Sequence, residues 1–288
     1  MKTLKLFLSL FCASTFVTVT AQNNVTIKTI PVSNSVYMLV GQGGNIGVSV
    51  GDDGVFVIDD QFARLTPKIL DAIKKLSDKS IQYVVNTHYH GDHTGGNANM
   101  KKEGAKIIAH DNVYKRLAEG NTTEGLPVIT FNDKLSVYMN GEQVLVFHVD
   151  NAHTDGDAML YFTESNVLHT GDNYFHKRYP YIDVNSGGSI DGYIDAVKRA
   201  LMVIDENTKI IPGHGDLSNK AEYASFLEML KKLRANVQAE IDKGKTEADI
   251  VANTTITKEY DDLNYSWNFI NSEKIRRAIY VSLSGKEN

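Results

Sequence analysis

Ile81-Gln82-Tyr83-Val84-Val85-Asn86-Thr87-His88-Tyr89-His90-Gly91-Asp92-His93-Thr94-Gly95-Gly96 is the stretch on which the reading of this chain turns. Ile81 to Val85 is a short apolar run with the pattern of a buried strand. Directly after it, positions 88 to 93 hold three histidines and a carboxylate. Side chains two apart on an extended chain point the same way, so His88 and His90 can share one metal ion. Asp92 and His93 follow a glycine, where the chain can turn and present them to a second ion. A lone histidine is usually a satisfied core or surface residue, but three with an aspartate at this spacing read as ligands.

Away from this motif, the 288 residues are 42% hydrophobic and 23% charged, the balance of a soluble globular protein with ample material for a core. Lys2 and Lys5 precede a mostly apolar run from Leu6 to Val19, and Val19-Thr20-Ala21 offers a cleavage site. Residues 1–21 are therefore expected to be an export signal, and residues 22–288 one domain that is periplasmic or secreted. The apolar run is too short to span a bilayer, so no membrane anchor is expected after cleavage. Cys12, the one cysteine, lies inside this segment behind a bulky Phe11, which does not suit lipid attachment. The mature chain then has no disulfide and no thiolate to offer a metal. Loss of Lys2 and Lys5 takes the formal net charge from -5 to -7, and no basic run points to nucleic acid as a partner.

In chain order, four short β-type runs come first: Val25 to Ile30, Val36 to Val40, Ile46 to Val50 and Val55 to Ile58. Glycine-rich turns between them predict an antiparallel meander. Asp59 and Asp60 close it, as carboxylates behind the ligands or as turn and capping residues. Thr66 to Leu76 has helical apolar spacing. After the histidine motif come a helix at Asn97 to Glu103, a strand at Ala105 to Ala109 and a helix at Asn112 to Ala118. Strands follow at Val128 to Phe131, Leu135 to Met139 and Gln143 to Val149, the last two joined by an Asn140-Gly141 hairpin turn. Met159 to Phe162 and Asn166 to His169 read as strands, then Asn173 to Gly188 as a long loop. Ser189 caps a helix to about Ile204, and Lys209 to Ile211 is a strand. Helices are expected from Asn219 to Asp242, Thr246 to Ala252 and Ser272 to Leu283. Strands then helices, twice over, predict an α/β (α+β) protein built as an αββα sandwich.

Candidate ligands lie at four strand ends: His88, His90, Asp92 and His93; His153; Asp172; and His214. Each follows an apolar run and sits by a glycine-containing turn. In this the chain resembles the metallo-β-lactamase-fold superfamily, over about Val25 to Asp216, through its His-x-His-x-Asp-His motif and the later His, Asp and Gly-His-Gly positions in order. The resemblance implies that His88, His90 and His153 hold one metal and Asp92, His93 and His214 a second. Asp172 matches the bridging aspartate of glyoxalase II-like members, and Asp92 would orient the attacking water. Members with a cysteine ligand are a poor match to a thiol-free chain, and the all-His/Asp lactamases typically lack the bridging aspartate.

Imidazole and carboxylate ligands without thiolate suit two zinc ions, with iron or manganese also compatible. Such a pair ionises a shared water at roughly neutral pH. The first expectation is an exported dinuclear zinc hydrolase that opens a cyclic amide in a small-molecule substrate of β-lactam type. The alternative is a lactonase or thioesterase on the same centre, favoured by Asp172, and a third is oxidative chemistry at a single iron. Lys177 and Arg178 are candidates to clamp a substrate carboxylate, equally readable as solvated charges. Tyr174, with Phe175, Tyr179 and Tyr181, is read as an exposed loop aromatic able to wall a substrate pocket. Trp267 is read as an anchor for the C-terminal segment, and His110, His148 and His169 as packing residues.

Overall fold

The computed structural model describes residues 25–120 and 123–285. The expected export signal lies outside them. Four antiparallel strands open the fold: β1 (Lys28–Pro31), β2 (Val36–Val40), β3 (Ile46–Gly51) and β4 (Gly54–Ile58). Helix α1 (Thr66–Lys74) leads to β5 (Ile81–Val85), then come the short α2 (Gly91–Thr94), α3 (Asn97–Lys102), β6 (Lys106–His110), α4 (Asp111–Glu119) and β7 (Ile129–Phe131). These strands form one sheet in sequential order β1 to β7, antiparallel as far as β4 and parallel from there.

The second sheet takes β8 (Lys134–Met139), β9 (Glu142–His148), β10 (Ala158–Phe162), β11 (Val167–His169), β12 (Lys209–Ile211) and β13 (Ser218–Asn219). Its order is β13-β12-β11-β10-β9-β8, with only the β11–β12 pairing parallel. Between β11 and β12 runs α5 (Ile190–Val203), and beyond the sheet lie α6 (Lys220–Asp242), α7 (Glu247–Ala252), α8 (Lys258–Asp261) and α9 (Ser272–Ser284). The expected cap Ser189 accepts from Gly192 N, and at the starts of the next two helices Asn219 accepts from Glu222 N and Thr246 from Asp249 N. β13 and α8 were not expected. Both are short and polar, and β13 pairs with β12 while its Ser218 Oγ meets the Tyr174 hydroxyl at 2.9 Å.

Strand alternation decides the layers. Phe56 and Ile58 of β4 face inward with Val85 and Ile108 and meet Val144, Val146, Leu160 and Phe162 of the second sheet. Val55 and Val57 face outward with Val84 and pack on Ile69 and Ile73 of α1 and Met100 of α3. On the far side, Phe147, Met159, Leu168 and Ile210 bury against α5, α6 and α9 through Tyr193, Val197, Leu230, Leu233 and Ile279. This is the expected αββα sandwich.

Two side chains fasten the parts around the strand ends. Asn45 donates through Nδ2 to Pro212 O and Gly215 O, both at 2.9 Å, and its backbone N donates to Gly213 O at 2.7 Å, tying the first meander to the turn after β12. Arg276 of α9, 2% exposed, donates to Val251 O from Nε (2.9 Å) and Nη2 (2.7 Å), and from Nη1 to Thr257 Oγ1. Replacing it strips a buried carbonyl and hydroxyl of their charged donor. Arg276→Ala is expected to lower stability by about 2–4 kcal/mol in urea denaturation, and a change within 0.5 kcal/mol would contradict this.

Candidate metal centre

β5 ends at Val85, and the next turns of chain present the motif. His88 follows in a bend, His90 is the extended N-cap of α2, and α2 itself carries Asp92 and His93. Gly91 is helical there, so its freedom to adopt positive φ is not what places Asp92 and His93. His153 comes from the loop between β9 and β10, Asp172 from the turn after β11, and His214 from the turn after β12. These are ends of neighbouring strands in the second sheet, facing the end of β5 in the first.

The expected ligands converge into two groups. His88, His90, His153 and Asp172 form one, and Asp92, His93 and His214 the other, with the ligand atoms of each within 4.8 Å of one another. Asp172 stands between them. Its Oδ2 is 3.8 Å from His88 Nε2 and 3.6 Å from His153 Nε2, while its Oδ1 is 3.1 Å from His93 Nε2 and 3.4 Å from His214 Nε2. Gly213 makes that position possible, because a Cβ there would come within 2.1 Å of Asp172 Oδ1. Gly44 does the same for the ring of His93, whose Cε1 would be 2.1 Å away.

The outer nitrogens fix the tautomers. His153 Nδ1 donates to the carbonyl of Tyr181 at 2.7 Å, which leaves Nε2 as a bare lone pair. His90 Nε2 donates to Asp183 Oδ2 at 3.0 Å, leaving Nδ1 bare. Thr87 Oγ1 donates to Asp59 Oδ2 and so receives His88 Nδ1, at 3.0 Å, leaving Nε2 bare. The three bare nitrogens then face one another at 3.1 Å (His88–His90) and 2.9 Å (His90–His153). Two imidazoles at 2.0–2.1 Å from one zinc would be about 3.3 Å apart, so this spacing fits a shared cation. In the second group His93 Nδ1 donates to Asp59 Oδ2 at 2.7 Å, while His93 Nε2 and Asp172 Oδ1 are buried with no hydrogen-bond partner. The donor set fits two divalent ions.

Electrostatics point the same way. Burial holds His88 well below the ordinary histidine range and His153 down to about 4, so both rings are neutral and able to donate electron pairs. Burial also disfavours charge on His214, but Asp172 and Asp92 beside it prevail and push it up to about 9. His93 is raised likewise, against burial, by Asp172, Asp92 and Asp59. The carboxylates thus set up a field that demands positive charge between them.

Asp59 proves to be the orienting carboxylate of the two aspartates that close β4. It is fully buried, accepts from Thr87 N and Oγ1 and from His93 Nδ1, and holds this position at φ 62°, a left-handed conformation that costs about 1–3 kcal/mol. Asp60 accepts from Gly96 N instead. Asp183 was not expected from sequence. Tyr89, between the two histidines, donates to its Oδ2 at 2.9 Å, and hydrogen bonds from His90, Ser186 and Tyr89 hold Asp183 well below the usual carboxylate range in spite of burial. It lies in the long loop at no recognisable spacing, so only the folded chain reveals it. Asp157 accepts from His153 N, Thr154 N and Thr154 Oγ1, and it shapes the turn rather than joining the ligands.

Tyr174 requires a correction. It is 1% exposed, packs on Tyr223 and Phe226 at 4.6 and 5.0 Å and meets Ser218 Oγ at 2.9 Å, so it belongs to the core beneath α6 and is not the exposed loop aromatic expected. Phe175 and Tyr179 are buried too, yet Phe175 stacks on His214, and Tyr181 reaches the site stacked on His90. Lys177 pairs with Glu222 of α6 at 3.3 Å, and Arg178 lies over the ring of Trp267. Trp267 anchors its segment as expected, through Nε1 to Tyr179 O at 2.9 Å, but its ring also stands beside His214. His110 caps α4, His148 donates to Asp157 O, and His169 donates to Asn45 O, each a packing role.

Residues 39–236 match the profile of the metallo-beta-lactamase superfamily, and the chain belongs to that superfamily. It is 30% identical over 187 residues to a hydroxyacylglutathione hydrolase of Pelagibacter ubique, an alignment covering 63% of this chain and 66% of that protein. A type 2 metallo-beta-lactamase of Bacillus cereus is 23% identical over 184 residues, covering 62% of this chain and 69% of the relative. A solved metallo-beta-lactamase from Pontibacter korlensis shares the fold, with a TM-score of 0.64 at 18% identity over 72% of this chain and 99% of that one. The chain spans between 55% and 70% of the length of the hydroxyacylglutathione hydrolases it matches.

Asp59→Asn keeps the shape of the carboxylate but removes the charge that orients His93. Loss of an outer partner of this kind typically weakens metal binding about 10–100-fold. Because Asp59 also holds Thr87, which accepts from His88, competition against a chromogenic chelator is expected to show zinc binding weakened by that factor at the His93 group and to a smaller degree at the His88 group. Equal affinity for both ions in the variant and the parent would refute the assignment.

Proposed function

We propose that the chain is an exported dinuclear metal hydrolase that cleaves an acyl bond, with esters and thioesters, lactones among them, ahead of cyclic amides. The observation that carries this reading is Asp172, whose two oxygens face the two ligand groups from a buried position between them. The hydroxyacylglutathione hydrolase relatives support the same order of substrates, reversing the preference for β-lactams drawn from the sequence. The lactam reading keeps support from the Bacillus cereus relative. Zinc is the proposed metal, and the ligand set also accommodates iron or manganese.

Two divalent ions in these groups would supply Lewis acidity for a carbonyl oxygen and a water ionised near neutral pH. The chain's own residues do the rest. His88, His90 and His153 keep their lone pairs directed inward because Thr87, Asp183 and the Tyr181 carbonyl occupy their outer nitrogens. Asp92, with its side chain 27% exposed and its Oδ2 3.3 Å from His214 Nε2, is the ligand carboxylate open to the substrate side. It is placed to accept a proton from the attacking water and pass it to the leaving atom.

The test is turnover by the purified, zinc-loaded protein on three substrate classes side by side: a thioester, a lactone and a chromogenic β-lactam. Thioester or lactone hydrolysis is expected to dominate, and His88→Ala to lower kcat/KM about 1,000-fold or more, the effect of losing several kcal/mol of transition-state stabilisation. No turnover in any class sinks the hydrolase reading, and one iron per chain without zinc would replace it with the oxidative alternative. Export is tested separately by mass spectrometry of the secreted or periplasmic protein, which is expected to begin at Gln22. Recovery of an intact N-terminus would rule it out.

A further inference from the structure

His90 and His214, one from each ligand group, both face an aromatic ring that is not a ligand. Tyr181 stacks on His90 with centroids 5.5 Å apart and planes at 21°, and Trp267 lies 5.9 Å from the ring of His214. Phe269 joins these two walls, 5.7 Å from Trp267 and 5.0 Å from Tyr181. It is 49% exposed, a large apolar side chain left open to solvent beside the candidate centre. Behind Tyr181 and Phe269 opens a cavity of about 250 Å³ with Ile182, Ile270 and Val281 along it.

The cations around this cavity already have partners. Lys274 Nζ donates to Phe269 O at 2.7 Å and lies over the Phe269 ring, Arg277 pairs with Glu247 at 3.2 Å, and Arg178 covers Trp267. Asp183, which accepts from His90 and Tyr89, and Asn185 are the other polar residues along the wall, so most of what a ligand meets here is aromatic and aliphatic carbon. An alkyl or aryl chain would meet the same surface with its water displaced, a gain of about 0.8 kcal/mol per methylene.

We propose that this cavity is the subsite for an apolar acyl tail, with the scissile carbonyl of the same substrate lying over the two ligand groups. The proposal rests on the hydrolase reading above for the identity of the ligand, and it names the substrate class as fatty or aryl-alkyl acyl compounds. Trp267 and Phe269 hold the tail at the mouth, and Ile182, Ile270 and Val281 take its end.

Trp267 is the chain's one tryptophan and lies 5.7 Å from Phe269 of the cavity wall, so intrinsic fluorescence reports on the ring next to the cavity. The experiment titrates the zinc-loaded protein with straight-chain carboxylates from acetate to decanoate. The expected result is a saturable change in Trp267 emission, with Kd falling roughly threefold to fourfold per added methylene until the cavity is full. Ala278→Phe, on the cavity wall away from the ligand groups, is expected to raise the Kd for decanoate at least tenfold. Affinity that does not change with chain length overturns the proposal, as does unchanged decanoate binding by the folded variant. If that variant fails to fold, the chain-length series on the parent protein decides alone. Chain-length-dependent binding without turnover of any substrate class removes the hydrolase reading and supports the subsite. Turnover with a flat chain-length series does the reverse.

Discussion

At the heart of this molecule, electron pairs of like character are turned toward one another. Three imidazole nitrogens approach to 2.9 and 3.1 Å with their protons on the far side of each ring, and a buried aspartate presses against them. Left to themselves such groups repel, and taking them out of water makes the repulsion worse. The arrangement persists because each ring is gripped from outside, by Thr87, Asp183, the Tyr181 carbonyl or Asp59. A cation shared by these groups would turn that mutual repulsion into coordination.

Sheet topology explains how residues from 88 to 214 reach one point. The parallel pairing of β4 with β5 and of β11 with β12 puts the carboxyl ends of these strands at a common edge. Turns at such an edge are free of ladder hydrogen bonds and can be shaped by glycine, as Gly44 and Gly213 show where they let a ring and a carboxylate come close. Asn45 then locks the turn of one sheet to the turn of the other. Placement of the ligands is thus a property of the sandwich as a whole.

Much of this was legible in the sequence, for a definite reason. His88, His90, Asp92, His93, His153, Asp172 and His214 each follow an apolar run and stand by a glycine, so periodicity and turn chemistry disclose them one at a time. The layers could be read too, because strands such as Val55 to Ile58 and helices such as Thr66 to Lys74 carry a clear period. Asp183 and Phe269 could not be found in this way. Both sit in irregular segments whose course depends on tertiary packing, and no local pattern encodes it. Tyr174 differs from its expected exposure for the same reason: the loop that carries it folds under α6 and turns Tyr174 inward against Tyr223 and Phe226.

Three consecutive residues, Tyr181, Ile182 and Asp183, touch both the ligands and the cavity beside them. The Tyr181 carbonyl holds His153, Ile182 lines the cavity and Asp183 aims His90. Any displacement of this tripeptide is felt in both places, and thermodynamic reciprocity makes the influence mutual. A substitution at Ile182 that enlarges the cavity would therefore also shift the neighbouring groups that hold His153 and His90. Drift in selectivity along this family branch would then be recorded as paired changes on either side of residue 182, with the ligands themselves untouched.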